Sequence, residues 1–295
     1  MSGGLSLLTT ESSRIEAAWG RRTAPMSISP PLLAVLDQIA VERLLEERIL
    51  RPPYVSFARG GRQIPDHEVT VGQTGGDTGF LDRAKARSLV ASGATVMLYQ
   101  AHHWIDSLAT IATHISSALR ATCSSTVFHT PANSPGLTWH RDGQHVIAVQ
   151  IAGSKNWHVE RTVPAHWWST GFLPTGGPDA DVTPVTLRRG QALYLPPGVA
   201  HTAQATGETS THVSFVIQEP ETKDLALAMF ERALLRVKTR LEEGPLHERG
   251  ARAAAVAREL ASAMDELDID GLLEMVEEDS MQEGRSPTHD RRDVR

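Results

Sequence analysis

The strongest constraint on the fold of this chain is a change in its apolar pattern after Cys123. Beyond that residue, short runs of β-branched and aromatic residues are separated by turns rich in glycine and proline. The runs are Val146–Ile151, Trp157–Val159, Gln191–Leu195 and Thr211–Ile217. Short strands with turns at this spacing predict an antiparallel sandwich or barrel of the jelly-roll kind.

Helical patterns flank the β region on both sides, so the predicted fold class is mainly β with flanking helices. Ser29 followed by Pro30 predicts the start of a helix. The segment from Pro52 to Gly79 is predicted to be irregular. The other segments with helical spacing are 104–119, 225–241, 253–267 and a short one at 272–276.

These patterns divide the chain into four parts. Residues 1–25 carry no apolar period and are expected to form a flexible leader. Residues 26–218 hold the β core with its N-terminal helices. Residues 219–280 are expected to form a helical module, and residues 281–295 a disordered polar tail.

Composition excludes several classes of protein. With 40% hydrophobic residues the chain can bury a core, while its single cysteine excludes an internal disulfide and a cysteine-based zinc site. A formal net charge of −6 provides no basic field, so we expect no direct nucleic-acid binding. No apolar run approaches the roughly 20 residues of a membrane span, and none resembles a signal-peptide core. We therefore expect a cytoplasmic protein without a membrane partner.

The first candidate functional residues are His140 and Asp142. At positions i and i+2 of an extended chain, both side chains point to the same side and can bind one ion together. His201, which follows a Pro-Pro-Gly turn, supplies a third ligand. Two imidazoles and one carboxylate on one face of a metal are typical of non-haem Fe(II) oxygenases. A single His-x-Asp also occurs by chance in a histidine-rich chain, so the pair alone is a weak signal.

Three segments in this order resemble the JmjC-type cupin oxygenases, and within them the ribosomal-oxygenase-like subgroup. The segments are 136–142 (GLTWHRD), 150–159 (QIAGSKNWHV) and 190–201 (GQALYLPPGVAH). The resemblance covers about residues 80–218. It implies a double-stranded β-helix, with Fe(II) held by His140, Asp142 and His201 as the catalytic centre. It also implies that 2-oxoglutarate and O2 are co-substrates.

The resemblance gives Lys155 a role, because a basic residue at this place in the Gly-x-Lys-x-Trp motif binds the distal carboxylate of 2-oxoglutarate. Without the resemblance, a lysine after a turn is more simply a solvated side chain. Where the family usually has a tyrosine, this chain has Phe128, which carries no hydroxyl. Thr126 or Ser214 is expected to supply the missing hydrogen bond. His212 is expected either to face the cavity in support of the co-substrate or to pack in the core.

Other candidate residues are given structural interpretations. His102 and His103 precede a helix and are expected to cap it or to lie at the surface. Trp167 and Trp168 lie in a glycine-containing loop and are expected to pack, to cover the substrate or to form a dimer contact.

The leading hypothesis is a dioxygenase that hydroxylates an amino-acid side chain in a peptide, a protein or a natural-product intermediate. The alternatives are a cupin that binds a metal or ligand without catalysis, and a redox-neutral isomerase or hydrolase that uses Zn(II) or Mn(II). The acidic charge balance weakly favours a cationic substrate.

Ribosomal-oxygenase relatives act on ribosomal proteins and carry a helical dimerisation region followed by a winged helix. The residues after position 218 suffice for the helical region and not for a winged helix. The resemblance therefore implies a homodimer formed through the C-terminal helices and leaves the substrate open.

Overall fold

A computed structural model describes residues 5–6, 8–47, 49–72, 79–165, 169–173, 176–178 and 181–283. The described chain divides into two compact units. The first unit contains residues up to Leu119 and Cys123–Gln218, and the second contains Arg120–Thr122 and the residues from Glu219 onward.

Helices precede the β core and follow it. Those of the first unit are α1 (Ser12–Ala18), α2 (Pro30–Leu36), α3 (Val41–Glu46), α4 (Asp66–Val69), α5 (Arg83–Ala91) and α6 (Asp106–Leu119), with a 3₁₀ turn at Ala101–His103. Those of the second unit are α7 (Thr222–Leu234), α8 (Arg249–Asp265) and α9 (Ile269–Glu283), with a 3₁₀ turn at Leu246–Glu248.

The strands form two antiparallel sheets. In chain order they are β1 (Ala24–Ser27), β2 (Val55–Arg59), β3 (Arg62–Gln63), β4 (Thr95–Leu98), β5 (Thr122–Thr130), β6 (His140–Arg141), β7 (His145–Ala152), β8 (Ser154–Glu160), β9 (Gly171–Phe172), β10 (Val182–Arg188), β11 (Gln191–Leu195), β12 (Ala200–Ala205) and β13 (Ser210–Gln218). Among the described residues, the larger sheet has the order β1-β11-β7-β13-β5-β4-β2-β3 and the smaller one β10-β8-β12-β6-β9.

Apolar side chains from both sheets pack in one buried cluster. Val146 and Leu193 come from the larger sheet, while Trp157, Val159 and Leu187 come from the smaller one. Because each strand alternates its side chains, one face of each sheet fills this core. The mainly β double-stranded β-helix with flanking helices, predicted from the sequence, is confirmed.

The prediction of a flexible leader over residues 1–25 is wrong for the part that the structure describes. Ile15 in α1 is buried, and β1 adds to the edge of the larger sheet by pairing with β11. Trp19 stacks on His145 with ring centroids 4.2 Å apart. Each element is too short to show a periodic pattern, and pairing with a distant strand decides its structure.

The irregular segment predicted between Pro52 and Gly79 is also partly regular. It contains β2 and β3, which form a hairpin at the end of the larger sheet, followed by the single-turn helix α4. Buried Val55 and Phe57 give β2 its place beside β4. The glycines and prolines of this segment obscure these short elements in the sequence.

From Glu219 onward, every regular element of the second unit is a helix among the described residues, as the composition predicts. Its first helix ends at Leu234, seven residues before the predicted end at Leu241. The Glu259 carboxylate accepts hydrogen bonds from the backbone N–H groups of Lys238 and Thr239 at 2.7 and 3.0 Å. These bonds fix the connection after α7. Residues 281–283 of the predicted tail belong to α9, and the rest of that tail lies outside the described residues.

In the part of the chain that the structure describes, no helix combines the length and the apolar character that a bilayer crossing requires.

Candidate metal centre and its cavity

Three potential metal ligands meet where β6 pairs with β12. The antiparallel register places His140 directly opposite His201, and Asp142 follows β6 on the same side as His140. Asp142 carboxylate oxygens lie 3.9 Å from His140 Nε2 and 3.5 Å from His201 Nε2. One ligand atom from each residue lies within 4.8 Å of the others, which is the arrangement of a three-ligand metal site.

Backbone carbonyls fix the tautomers of both imidazoles. His140 Nδ1 lies 2.7 Å from the Thr138 carbonyl oxygen, and His201 Nδ1 lies 3.1 Å from that of Val199. A carbonyl oxygen only accepts, so each Nδ1 carries the proton and donates it. Each Nε2 therefore keeps a free lone pair, and both lone pairs are available to one ion.

Electrostatics favours the neutral, ligating form of the more buried imidazole. Burial, with a smaller contribution from neighbouring His140, lowers the pKa of His201 to about 4. His201 is therefore uncharged near neutral pH. A metal ion at this site would not have to displace a proton from that ring.

The three ligands lie in the wall of a cavity of about 520 Å³ in the first unit. The cavity is also lined by each of the other residues that the sequence singled out for a ligand: Thr126, Lys155, His212 and Ser214. All four of these side chains are buried. The structure thus brings every predicted site residue to one cavity, although their roles stay predictions.

Lys155 is the most unusual of these residues, because its side chain is only 1% exposed. From β8 its ammonium crosses to the larger sheet, donates to Thr130 Oγ1 at 3.0 Å and lies 3.4 Å from His212 Nδ1. No carboxylate forms an ion pair with it among the described residues. Burial lowers the pKa of Lys155 to about 7. The cavity therefore contains a cation that lacks an anionic partner within the described chain.

Phe128 and His212 form one apolar wall beside Lys155. Their rings stack with centroids 4.8 Å apart and an angle of 3° between the planes. Burial and the nearby ammonium of Lys155 hold the pKa of His212 well below its usual range, so the ring is neutral. His212 faces the cavity, and the departure at Phe128 leaves a flat stacking surface where the family usually has a hydroxyl.

Thr130 is a site residue that the sequence reasoning missed. It lies two residues after Phe128 on β5, hence on the same face, and its hydroxyl is the closest hydrogen-bond partner of Lys155. The alternation of side chains along a strand could have identified it, because every second residue after Phe128 points to the same face.

Gly136 packs closely against β12. A Cβ atom at Gly136 would lie 2.9 Å from the Ala203 carbonyl oxygen, closer than a side chain is tolerated, and 3.6 Å from Lys155 Nζ, an ordinary contact distance. The glycine of the GLTWHRD segment is therefore needed for the close approach of this turn to β12.

The open side of the cavity carries aromatic residues that the sequence did not single out. Phe172 in β9 is 63% exposed and its ring centroid is 6.0 Å from that of His140. Tyr99 lines the wall, and burial together with Asp142 raises its pKa to about 12. Both rings line the cavity that contains the metal ligands.

The remaining candidates have structural roles or lie outside the described chain. His102 is half-buried and its Nδ1 accepts a hydrogen bond from the Ser125 backbone N–H at 3.2 Å, whereas His103 is exposed. His102 thus binds a neighbouring strand instead of capping a helix. Trp167 and Trp168 lie outside the described residues.

Comparison with known proteins defines the class. Residues 97–225 match the JmjC domain family, and this segment contains all three proposed metal ligands. This segment, which is less than half of the chain, therefore resembles a JmjC domain.

The curated relatives are ribosomal oxygenases. Ribosomal oxygenase 2 of Mus musculus is 33% identical over 114 residues, which cover 38% of this chain and 24% of that protein. The Bos taurus protein of the same name is 32% identical over 126 residues, which cover 41% of this chain and 27% of that protein. The chain spans about a quarter of the length of the curated relatives it matches. Over this part of its length the chain thus resembles the ribosomal oxygenases.

Solved structures show the same architecture. The Escherichia coli ribosomal oxygenase YcfD has a TM-score of 0.50 with 15% identity, over 89% of this chain and 69% of that one. A structure of YcfD in complex with cobalt and 2-oxoglutarate has a TM-score of 0.51 with 14% identity, over 90% and 69%. At this level of identity the likeness concerns the fold alone.

Proposed function

We propose that this chain is an Fe(II)- and 2-oxoglutarate-dependent dioxygenase that hydroxylates an amino-acid side chain. The observation that carries the proposal is the convergence, in one cavity, of three metal ligands and an unpaired buried ammonium. The substrate would be presented in a peptide, a protein or a natural-product intermediate.

The donor set fits Fe(II). Two neutral imidazoles with free Nε2 lone pairs and one carboxylate bind one face of the ion and leave the remaining positions open. A closed structural zinc site needs four protein ligands, and among the described residues only these three converge. The open positions are what O2 and a chelating co-substrate require.

The cavity also fits 2-oxoglutarate, which carries a carboxylate at each end. Lys155 is a buried cation that a carboxylate would neutralise, and Thr130 beside it offers a hydroxyl donor. The apolar wall of Phe128 and His212 suits the methylene carbons between the two carboxylates.

When bound, iron and 2-oxoglutarate would supply the oxygen chemistry: one oxygen atom of O2 would enter 2-oxoglutarate as it becomes succinate and CO2, and the other would convert a substrate C–H bond to C–OH. The protein residues bind and orient. His140, Asp142 and His201 fix the ion at one end, and Lys155 fixes the far carboxylate at the other. The two sheets enclose the space between these ends and would limit the access of water to it.

The relatives favour a ribosomal protein as the first substrate to test. Asp142 is the sole carboxylate residue lining the described cavity wall, and the metal site uses it. The cavity itself thus offers no free acidic partner to a cationic side chain. Aromatic Tyr99 and Phe172 at the open side suit contacts with a peptide.

A screen for product mass would test the proposed function. The protein is incubated with Fe(II), 2-oxoglutarate and pools of ribosomal proteins, peptides or free amino acids, and the pools are examined by mass spectrometry. We expect one component to gain the mass of one oxygen atom, only in air and only with 2-oxoglutarate. Turnover without oxygen or 2-oxoglutarate would instead support a redox-neutral enzyme, and binding without any turnover would support a sensor or scaffold.

The affinity for 2-oxoglutarate should depend on pH through Lys155. Its pKa of about 7 in the free protein rises when a carboxylate binds beside it, so binding above neutral pH takes up a proton. We expect a constant Kd below pH 7 and a loss of affinity approaching tenfold per pH unit above it. Calorimetry with the Mn(II)-loaded protein measures this slope. Lys155→Arg stays charged throughout and should abolish the slope; an equal slope in that variant would contradict the assignment.

We also propose that the helical second unit mediates homodimer formation. Its described residues expose Leu227, Phe230 and Leu234 on α7, and Leu235 directly after it is 78% exposed. Exposed apolar residues in such a group are typical of protein–protein interfaces. Phe230→Asp should convert a dimer to a monomer in light scattering, while Arg232→Asp, a charge change on the same helix, should not. A wild-type monomer at high concentration would contradict this proposal.

A further inference from the structure

Arg141 stands between two metal ligands in the sequence, yet it cannot be a ligand itself. Successive residues of a strand point to opposite faces, so the Arg141 side chain leaves β6 on the side away from His140 and Asp142. It is buried, and so is its partner Glu160 at the end of β8. Their interaction therefore needs an explanation other than metal binding.

The two side chains form a bidentate ion pair. Both terminal nitrogens of Arg141 donate to the Glu160 carboxylate, Nη2 at 2.9 Å to Oε1 and Nη1 to Oε2. Such fork-to-fork contacts fix orientation as well as distance. Neither side chain is more than 7% exposed, so solvent does little to screen the pair.

The same pair also binds the backbone that immediately precedes the third ligand, His201. Arg141 Nη1 donates to the Gly198 carbonyl, and Glu160 Oε2 accepts a hydrogen bond from the Ala200 backbone N–H at 2.8 Å. Ala200 immediately precedes His201. In return, the Gly198 N–H donates to the Asp142 carbonyl oxygen at 2.8 Å. The strand segments that carry the three ligands are thus connected through one buried pair.

Folding stability alone is a poor reason for such a pair. Desolvating two charges costs about as much as their attraction returns, and well-packed apolar residues in place of a buried ion pair are often neutral or stabilising. What an apolar pair cannot supply is the set of directed bonds to Gly198 and Ala200. Directed bonds behind metal ligands set the ligand geometry and raise metal affinity.

On this basis we propose that Arg141 and Glu160 are positioning residues, whose ion pair holds His140, Asp142 and His201 in the geometry that binds the metal. This inference deepens the proposed function and rests on the metal site that it assigns. The pair acts through its hydrogen bonds to the backbone of the ligand segments.

The test uses Co(II) as the probe, because its visible spectrum reports coordination geometry. The double variant Arg141→Met/Glu160→Leu removes the pair and retains much of its volume. We expect a folded protein whose Co(II) Kd increases roughly 10- to 100-fold and whose absorption bands shift. The control is Arg161→Met/Asp181→Leu, which removes an exposed ion pair beyond the end of β8. It should change neither the Co(II) Kd nor the absorption bands.

A Co(II) Kd within twofold of the wild-type value, with an unchanged spectrum, would overturn the inference and leave the pair a purely structural contact. Glu160→Gln keeps the shape and one acceptor for Ala200, and it covers the case in which the double variant fails to fold. It should weaken Co(II) binding several-fold, and wild-type binding in this folded variant would equally overturn the inference. A different outcome would bear on the proposed function alone. If the wild-type protein binds Co(II) but, when loaded with Fe(II), does not turn over 2-oxoglutarate, the proposed function is rejected and the positioning result stands.

Discussion

Replacing His201 by alanine should reduce Fe(II) binding more than 100-fold and abolish turnover of 2-oxoglutarate. The imidazole is one of three ligands, and changes to residues that merely support a ligand already cost roughly 10- to 100-fold in metal affinity. His201 lies in the cavity wall, so the truncation enlarges an existing space and leaves the packed core between the sheets intact. We therefore expect lost metal binding in a protein that still folds.

Anaerobic titration with Fe(II) measures the loss of metal binding, and thermal unfolding shows separately whether the variant folds. His158→Ala is the matched control, because His158 lies on the neighbouring strand β8, directly opposite Thr202, with an exposed side chain. It should bind Fe(II) as the wild type does. Near wild-type Fe(II) affinity in a folded His201→Ala protein would remove His201 from the metal site.

Replacing Lys155 by methionine should weaken 2-oxoglutarate binding by about 2–5 kcal/mol, the usual loss on truncating one partner of a buried charge pair. This corresponds to roughly 30- to 5,000-fold in Kd. Metal affinity should change little, because Lys155 contacts Thr130 and His212 and none of the three ligands. Calorimetric titration of the Mn(II)-loaded protein with 2-oxoglutarate measures the change.

The same substitution should preserve or raise the thermal stability of the ligand-free protein. The ammonium is buried without an anionic partner among the described residues, so the wild-type protein carries a desolvation cost that methionine removes. Lys223→Met, at a lysine whose side chain is 75% exposed, provides the control for loss of a positive charge. Equal 2-oxoglutarate affinity in Lys155→Met and Lys223→Met would contradict the role of Lys155.

The sequence predicts the centre of the fold well because the relevant signals are local. Alternating apolar runs bounded by glycine and proline turns mark β7, β11 and β13 to within one residue at either end, and β8 to within three. The His-x-Asp spacing places His140 and Asp142 on one side of the chain without knowledge of its partners. Metal ligands that lie on strands next to recognisable turns can therefore be predicted from the sequence.

Elements defined by long-range pairing are not accessible in this way. Strand β1 has four residues and is stabilised by register with β11, more than 160 residues further along the chain. Nothing local distinguishes Ala24–Ser27 from a flexible segment. Its tertiary contacts override a weak intrinsic preference.

The supporting residues of the site were missed for a similar reason. Glu160 meets Arg141 only because β8 and β6 flank β12 in one sheet, and this strand order does not follow from the sequence of either segment. Thr130 meets Lys155 across the two sheets. Such contacts are decided by the order of the strands in the sheets, whereas the metal ligands can be identified from their spacing in the sequence.

The most direct test of the central proposal is the formation of succinate from 2-oxoglutarate by the purified protein with Fe(II) and the ribosomal-protein and peptide pools. The proposed function predicts succinate in air and none under anaerobic conditions. It also predicts none from the folded His201→Ala protein, while His158→Ala forms as much as the wild type. Succinate formation that is equal with and without oxygen, equal in the His201→Ala protein, or absent from the wild type with every pool would contradict it.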